Sequence, residues 1–246
     1  MEQLFTLQGK EILVTGASSG IGRTAACMAA ARGARMTLLA RNEERLRQTM
    51  ESLDGDGHRT MVCDLTDEDS LKEAVAQMPP LDGLVLCAGI NEFMPVKFIR
   101  QDKLERVFQT NCFAHLLLVQ LLLKRKKVNP GASIVFVSSV SSLMGVPGTL
   151  MYAASKGAVN SAVRVLASEL APQGIRVNAV CPGIVRSEML AGTNITEEAF
   201  TGQERQYPLG LGRPEDVGFA ALFHLCDGSR WLTGQTMVLD GGMTLI

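Results

Sequence analysis

No charge of either sign dominates the 246-residue chain: 24 Lys and Arg against 25 Asp and Glu leave a formal net charge of −1. A global field that would attract nucleic acid or an anionic membrane is therefore missing. The one basic run, Lys124-Arg125-Lys126-Lys127, closes a leucine-rich stretch. Cations suit the negative end of a helix dipole there, which favours a solvated helix end over a partner-binding patch. Long apolar runs are missing too. Leu116–Val119 and Leu121–Leu123 fall far short of the roughly 20 residues that span a bilayer. Met1 to Thr6 lacks the basic and apolar regions of a secretory leader. Cys27, Cys63, Cys87, Cys112, Cys181 and Cys226 form no Cys-x-x-Cys pair and have no partnered histidines. That argues against zinc or a disulfide framework and for reduced thiols. The chain reads as cytoplasmic, with no membrane, nucleic-acid or metal partner. No Pro/Gly/Ser-rich linker, repeat or low-complexity tract divides it, so residues 1–246 read as one domain. A hydrophobic content of 46% and a charged content of 20% suit a sizeable globular core.

What is present starts with a short apolar strand, Glu11–Thr15, running into Gly16-Ala17-Ser18-Ser19-Gly20-Ile21-Gly22 and then a helix of small residues, Arg23 to Ala31. Glycines let a backbone approach a ligand, and the free N–H groups at a helix start receive phosphate. In this strand–turn–helix setting the reading is a dinucleotide cradle rather than a plain tight turn. A second strand, Arg35–Leu39, ends at Ala40-Arg41. An NAD-preferring fold places a carboxylate there for the ribose 2′-hydroxyl. Arg41 suits a 2′-phosphate instead, so NADP(H) is expected over NAD(H), unless Arg41 merely starts the helix Asn42 to Leu53.

Further strands are expected at Thr60–Cys63, Gly83–Leu86, Ser133–Val137, Ile175–Val180 and Gln235–Leu239, alternating with helices. Their carboxyl ends carry Asp64-Leu65, Cys87-Ala88-Gly89, Ser138-Ser139 and Cys181-Pro182-Gly183. Asp64 is either a turn residue or a ligand contact, and Thr66 is expected to cap the helix that follows it. Asn111, a poor helix former inside a long apolar helical region, asks for a reason. Segment 187–212, polar and with four glycines, has the composition of a mobile substrate loop, or of an ordinary surface excursion. The alternation predicts an α/β fold, a single doubly wound parallel-sheet Rossmann domain.

Tyr152 and Lys156, four apart on an expected helix, share a face. An ammonium within about 4–6 Å of a phenol stabilises phenolate and lowers its pKa, making an acid/base for neutral pH. A chance pair on a solvated face is the plain alternative. Ser139 lies thirteen positions upstream.

Taken together, these residues resemble the short-chain dehydrogenase/reductase family over essentially the whole chain. Thr15-Gly-Ala-Ser-Ser-Gly-Ile-Gly22 is similar to its cofactor turn, Asp64-Leu65 to its adenine-contacting pair, and Pro182-Gly183-Ile184 to its nicotinamide loop. Asn111, Ser139, Tyr152 and Lys156 match its catalytic tetrad in order and spacing. That spacing selects Ser139 over Ser138, Ser141 and Ser142. The chain departs from the pattern at Cys87, where asparagine is usual, and at Ser187, where threonine is commoner. The resemblance implies hydride transfer with Tyr152 as proton donor. It gives Ser139 the oxyanion role, Lys156 the ribose and the acidity of Tyr152, and Asn111 a relay water. Ser18, Ser19, Ile21, Ala88, Gly89 and Ser187 are implied as further cofactor contacts. A homotetramer packed through helices 97–127 and 152–171 is also implied. Among members, 3-oxoacyl-acyl-carrier-protein reductases are most similar, which implies an acyl-thioester or other small-molecule ketone. Sugar, steroid and small-ketone reductases remain alternatives. A non-catalytic nucleotide sensor, or an epimerase retaining NAD, is a more distant reading.

Overall fold

A computed structural model describes residues 2–186, 202 and 204–245. Seven strands form one sheet: β1 (Glu11–Thr15), β2 (Arg35–Ala40), β3 (Arg59–Val62), β4 (Leu81–Leu86), β5 (Val128–Val137), β6 (Arg176–Pro182) and β7 (Thr236–Leu239). Every neighbouring pair is parallel, in the order β3-β2-β1-β4-β5-β6-β7. Parallel strands are covered on both faces and so read as apolar runs rather than alternations. In β1, Leu13 enters one core, and Ile12 and Val14 enter the other.

Helices α1 (Gly20–Ala30), α2 (Glu43–Glu51) and α7 (Pro214–Leu225) cover one face. Helices α3 (Glu68–Gln77), α5 (Ala114–Lys124) and α6 (Leu150–Leu170) cover the other. The chain builds outward from β1 through β2 to β3, then returns to lay β4 on the other side of β1. At that reversal the connections leave for opposite faces, and the carboxyl ends of β1 and β4 open into a crevice.

Two local expectations change. The cap of α3 is Asp67, whose carboxylate accepts the Asp69 and Ser70 N–H groups at 3.0 and 2.9 Å. Thr66 instead gives both its N–H and its hydroxyl to Asp64. A carboxylate is the better acceptor for a helix start, and here two compete, one for the turn and one for the cap. The basic run is only partly a solvated helix end: Lys127 turns back to donate to the Met78 carbonyl at the end of α3.

Between α4 (Gln101–Phe108) and α5 the helix widens into a π segment, Gln109–Phe113. The continuous stretch Gln101–Lys124 is long and apolar enough, by length and composition, to cross a membrane. In the fold it is a core element, burying Val107, Ala114, Leu118, Val119 and Leu122. Its outer side leaves Phe113 and Leu117 exposed, as Val165 is on α6. Beyond α7, Trp231, the only tryptophan, is 91% exposed in the connection that leads to β7, and Phe219 is exposed on α7 itself.

Candidate active site

The crevice widens into a cavity of about 1270 Å³ running along the carboxyl edge of the sheet. Its floor is the turn after β1. Gly16 and Gly20 hold φ of +66° and +50°, a region that side chains avoid. At Gly22 the constraint is space: a Cβ would come within 2.4 Å of the Gly16 carbonyl oxygen. Gly16, Ser18, Ser19, Gly20, Ile21 and Gly22 all line the cavity at the start of α1. Ser19 caps that helix without a side-chain hydrogen bond, so its first N–H groups face the cleft.

At one end the cavity is bordered by Arg41, Asp64 and Leu65. The Arg41 guanidinium is exposed and stands 3.7 Å from the Asp64 carboxylate. Burial pulls that carboxyl upward, but the Thr66 N–H and hydroxyl and the Arg41 charge outweigh it and hold the pKa below the usual value. Asp64 is thus ionised and engaged both in its turn and with Arg41. Cys87, Ala88 and Gly89 form the middle, and Pro182, Gly183 and Ile184 the far side. Ser187 lies outside the described residues.

The opposite wall carries Ser139 at the end of β5 and Tyr152 and Lys156 on α6. Tyr152 and Ser139 share this wall, and the Ser139 hydroxyl accepts the Ser141 N–H and donates to the Ser141 hydroxyl at 3.2 and 3.3 Å. Ser138 points away and donates to the Lys156 carbonyl, and Ser142 donates to the Ser139 carbonyl. Of the four serines, Ser139 is the one that acts to lower the Tyr152 pKa. The electrostatics differ from expectation. Burial pushes the Tyr152 phenol up to about 12, against the lowering effect of the Ser139 hydrogen bond. Burial also pulls Lys156 down to about 8. The reason is geometric: Lys156 Nζ donates to the Val137 carbonyl at 2.8 Å and sits 5.7 Å from the centre of the Tyr152 ring. The ammonium is neighbour to the ring face, and desolvation wins.

Asn111 lies in the π segment and is fully buried. Wide turns of this kind present main-chain and side-chain groups that an α-helix hides. Its amide oxygen accepts the Ile90 N–H at 2.8 Å, and its amide nitrogen donates to the Ile90 carbonyl and the Ser155 hydroxyl at 2.9 and 3.1 Å. The reason for an asparagine here is this two-way grip on the loop after β4. It stands behind the wall rather than on it. A Cβ on Gly89 would lie 3.2 Å from Asn111 Oδ1 and 3.7 Å from Lys156 Nζ.

Some lining residues carried no signal in the chain. Ile90, Phe93, Met144, Val146, Pro147 and Met243 add an apolar side to the cavity. They come from loops and one short helical turn, with no motif. Tyr207 is buried, and its hydroxyl accepts the Ile184 N–H at 3.0 Å. It is one of only two tyrosines, the one hint available. Much of the expected 187–212 loop lies outside the described residues. Its end is tied down, through Tyr207 and through hydrogen bonds from Gly212 N–H to the Ile184 carbonyl and from Arg186 N–H to the Gly212 carbonyl.

The glycine floor fits a nicotinamide dinucleotide: the cradle has room only where side chains are missing, and helix N–H groups border it. Cradle and hydroxyl-bearing wall together define a nucleotide-dependent oxidoreductase of the Rossmann type. A family model described as enoyl-(acyl carrier protein) reductase matches residues 16–244. The chain is 36% identical over 239 residues to carbonyl reductase family member 4 of Danio rerio, covering 95% of this chain and 98% of that protein. It is 34% identical over 245 residues to the 3-oxoacyl-acyl-carrier-protein reductase FabG of Rickettsia bellii, covering 99% and 100%. Among solved structures, one from Beutenbergia cavernae, a proposed NAD(P)-dependent gluconate 5-dehydrogenase with NADP bound at low occupancy, superposes with a TM-score of 0.90 at 31% identity. That match covers 99% of this chain and 100% of the other. The chain belongs to the short-chain dehydrogenase/reductase family.

Proposed function

We propose that this chain reduces a ketone to a secondary alcohol with NADP(H), Tyr152 giving the proton. The observation that carries the reading is that Ser139, Tyr152 and Lys156 share one cavity with the glycine cradle and face it. When bound, the nicotinamide supplies the hydride. Negative charge then develops on the carbonyl oxygen. Tyr152, protonated across the whole working range with a pKa near 12, quenches that charge with its hydroxyl proton. Ser139 donates a second hydrogen bond, an oxyanion role worth about 3 kcal/mol in comparable sites. Lys156 holds the ribose hydroxyls and brings positive charge beside the phenolate that forms. Asn111 fixes the loop that carries Gly89, and by family resemblance its neighbourhood returns the proton through Lys156.

At the adenosine end Arg41 pairs with the 2′-phosphate and makes NADP(H) the preferred cofactor. Asp64 and Leu65 border the adenine, and Pro182, Gly183, Ile184 and Ser187 border the carboxamide. A 3-oxoacyl thioester on an acyl carrier protein is the favoured substrate, supported by similarity to the FabG relative and by the apolar side at Ile90, Phe93, Met144 and Val146. A sugar acid or other small ketone is the second reading, supported by the Beutenbergia structure and by Arg106 and Gln109 on the cavity wall. The working form is a cytoplasmic homotetramer using the exposed apolar faces of α5 and α6. Single-domain organisation and a substrate loop at 187–212 belong to the same proposal.

The test is NADPH consumption with a 3-oxoacyl thioester, a sugar-acid panel and simple ketones, each repeated with NADH. Turnover of the thioester with NADPH supports the whole reading. Turnover of sugar acids alone keeps the reductase and replaces the substrate, and no turnover despite NADPH binding would return the chain to the sensor class.

A further inference from the structure

His115 lies one helical turn after Asn111 and is 1% exposed. Its ring packs edge-on against Phe136 at 6.4 Å between centres. Nε2 stands 3.3 Å from the hydroxyl of Thr15, the last residue of β1. The same Thr15 oxygen accepts the N–H groups of Cys87 and Ala88, at 3.0 and 3.2 Å. A hydroxyl has two acceptor sites and one proton. Both acceptor sites are taken by main-chain donors, so the proton goes to Nε2. The ring proton then resides on Nδ1, where the Asn111 main chain one turn back favours a proton. The opposite tautomer would aim three donors at one oxygen and strand its proton.

We propose that His115 is a positioning residue, a neutral Nδ1–H imidazole that locks Cys87 and Ala88 through Thr15 and so sets the spacing between cofactor cradle and catalytic wall. The locked segment is thin and tightly placed. On one side, a Cβ at Gly16 would touch the Ala88 main chain at 3.0 Å. On the other, Gly89 abuts Asn111 and Lys156. Asn111 grips Ile90, and one turn later His115 governs Cys87 and Ala88. Two side chains of one helix thus hold three residues of the cleft, Cys87, Ala88 and Ile90, on both sides of Gly89. Burial, with the Lys156 charge adding to it, keeps the ring uncharged by drawing its pKa to about 3. The effect on cofactor affinity rests on the nicotinamide reading of the cleft, but the tautomer does not.

Two measurements decide it. Nitrogen-15 imidazole spectra of the wild-type protein are expected to show His115 protonated at Nδ1 and unprotonated at Nε2, unchanged between about pH 5 and 8. A proton on Nε2, or a charged ring in that window, overturns the proposal. In equilibrium NADPH titrations, His115→Phe and Thr15→Val each weaken binding at least about tenfold. The double variant is no weaker than the worse single one, because both remove the same bond. His115→Gln, whose amide oxygen can accept the hydroxyl proton, recovers most of the affinity. Unchanged binding in a folded His115→Phe protein, losses that multiply, or a glutamine variant as weak as phenylalanine would each overturn the role. Should His115→Phe not fold, Thr15→Val and His115→Gln carry the same contrast. Wild-type protein that binds no dinucleotide would sink the function reading and the positioning role together, whatever the tautomer.

Discussion

On its cradle side the cleft offers main chain: Gly16, Gly20 and Gly22 leave N–H groups and open space, and nothing there is an acid or a base. The facing side offers three functional groups, Ser139, Tyr152 and Lys156, on a strand end and a 21-residue helix. The first side is defined by shape and is damaged by adding atoms. The second is defined by chemistry and is damaged by removing them. Binding and turnover are therefore separable by substitution.

The sharpest separation is Tyr152→Phe. It is expected to lower kcat at least about 100-fold while NADPH affinity stays within a few-fold, because only the proton donor is lost. Steady-state kinetics paired with a cofactor titration check it, and near-full activity in the variant would remove Tyr152 from its role. The mirror experiment is Gly22→Val, which forces a branched side chain onto the Gly16 carbonyl. Cofactor binding is expected to weaken by roughly 10–100-fold, the cost of a few kcal/mol of misfit. If Gly22→Val binds NADPH normally, the cradle is elsewhere. Arg41→Ala tests a charged group at the end of the cavity, beyond the glycine turn. The KM for NADPH should rise about tenfold, the worth of a charge-assisted pair, with the KM for NADH unchanged. Equal losses for both cofactors would sever Arg41 from the 2′-phosphate.

The catalytic side should also answer to pH where the cradle does not. Lys156 carries its proton below about 8 and loses it above. Reduction rate should therefore fall as pH rises through that value, with cofactor affinity at the glycine turn changing less. A flat profile from about pH 7 to 9 contradicts the charged role of Lys156.

The smallest effect lies away from both sides. His224 is buried, and among the described residues neither ring nitrogen has a partner. Burial, reinforced by Arg176, pulls its pKa to about 4. The unfolded chain takes up a proton near the ordinary value of about 6.5 while the fold does not, so stability is lost as pH falls from there towards 4. His224→Leu should flatten the decline in Tm over that range. An unaltered slope would assign the acid sensitivity to other groups, with His115 next in line.

What the bare chain disclosed follows the same division. The strands and the glycine turn were legible because parallel strands must be apolar throughout and a tight turn needs glycine, so composition carries position. Tyr152 and Lys156 were legible as a pair because four residues on a helix share a face. Their titration was not, since a pKa depends on where the ammonium points, and the Val137 carbonyl that holds it is nineteen positions away. His115 was silent for a similar reason: its partner, Thr15, is one hundred residues upstream. Thr66 misled because two carboxylates nearby outcompete a hydroxyl for the cap. The apolar cavity side at Phe93, Met144 and Val146 comes from irregular segments, where no period marks which way a side chain faces.

Trp231 turns the connection before β7 into an optical instrument. As the sole indole, 91% exposed, it should emit at the long wavelength of a wet fluorophore in dilute solution and be freely quenched by acrylamide. Filling the cleft, whose lining does not include Trp231, should leave that colour alone. A blue shift on concentrating the protein would register a second molecule settling against Trp231, seen by light alone and with no label added.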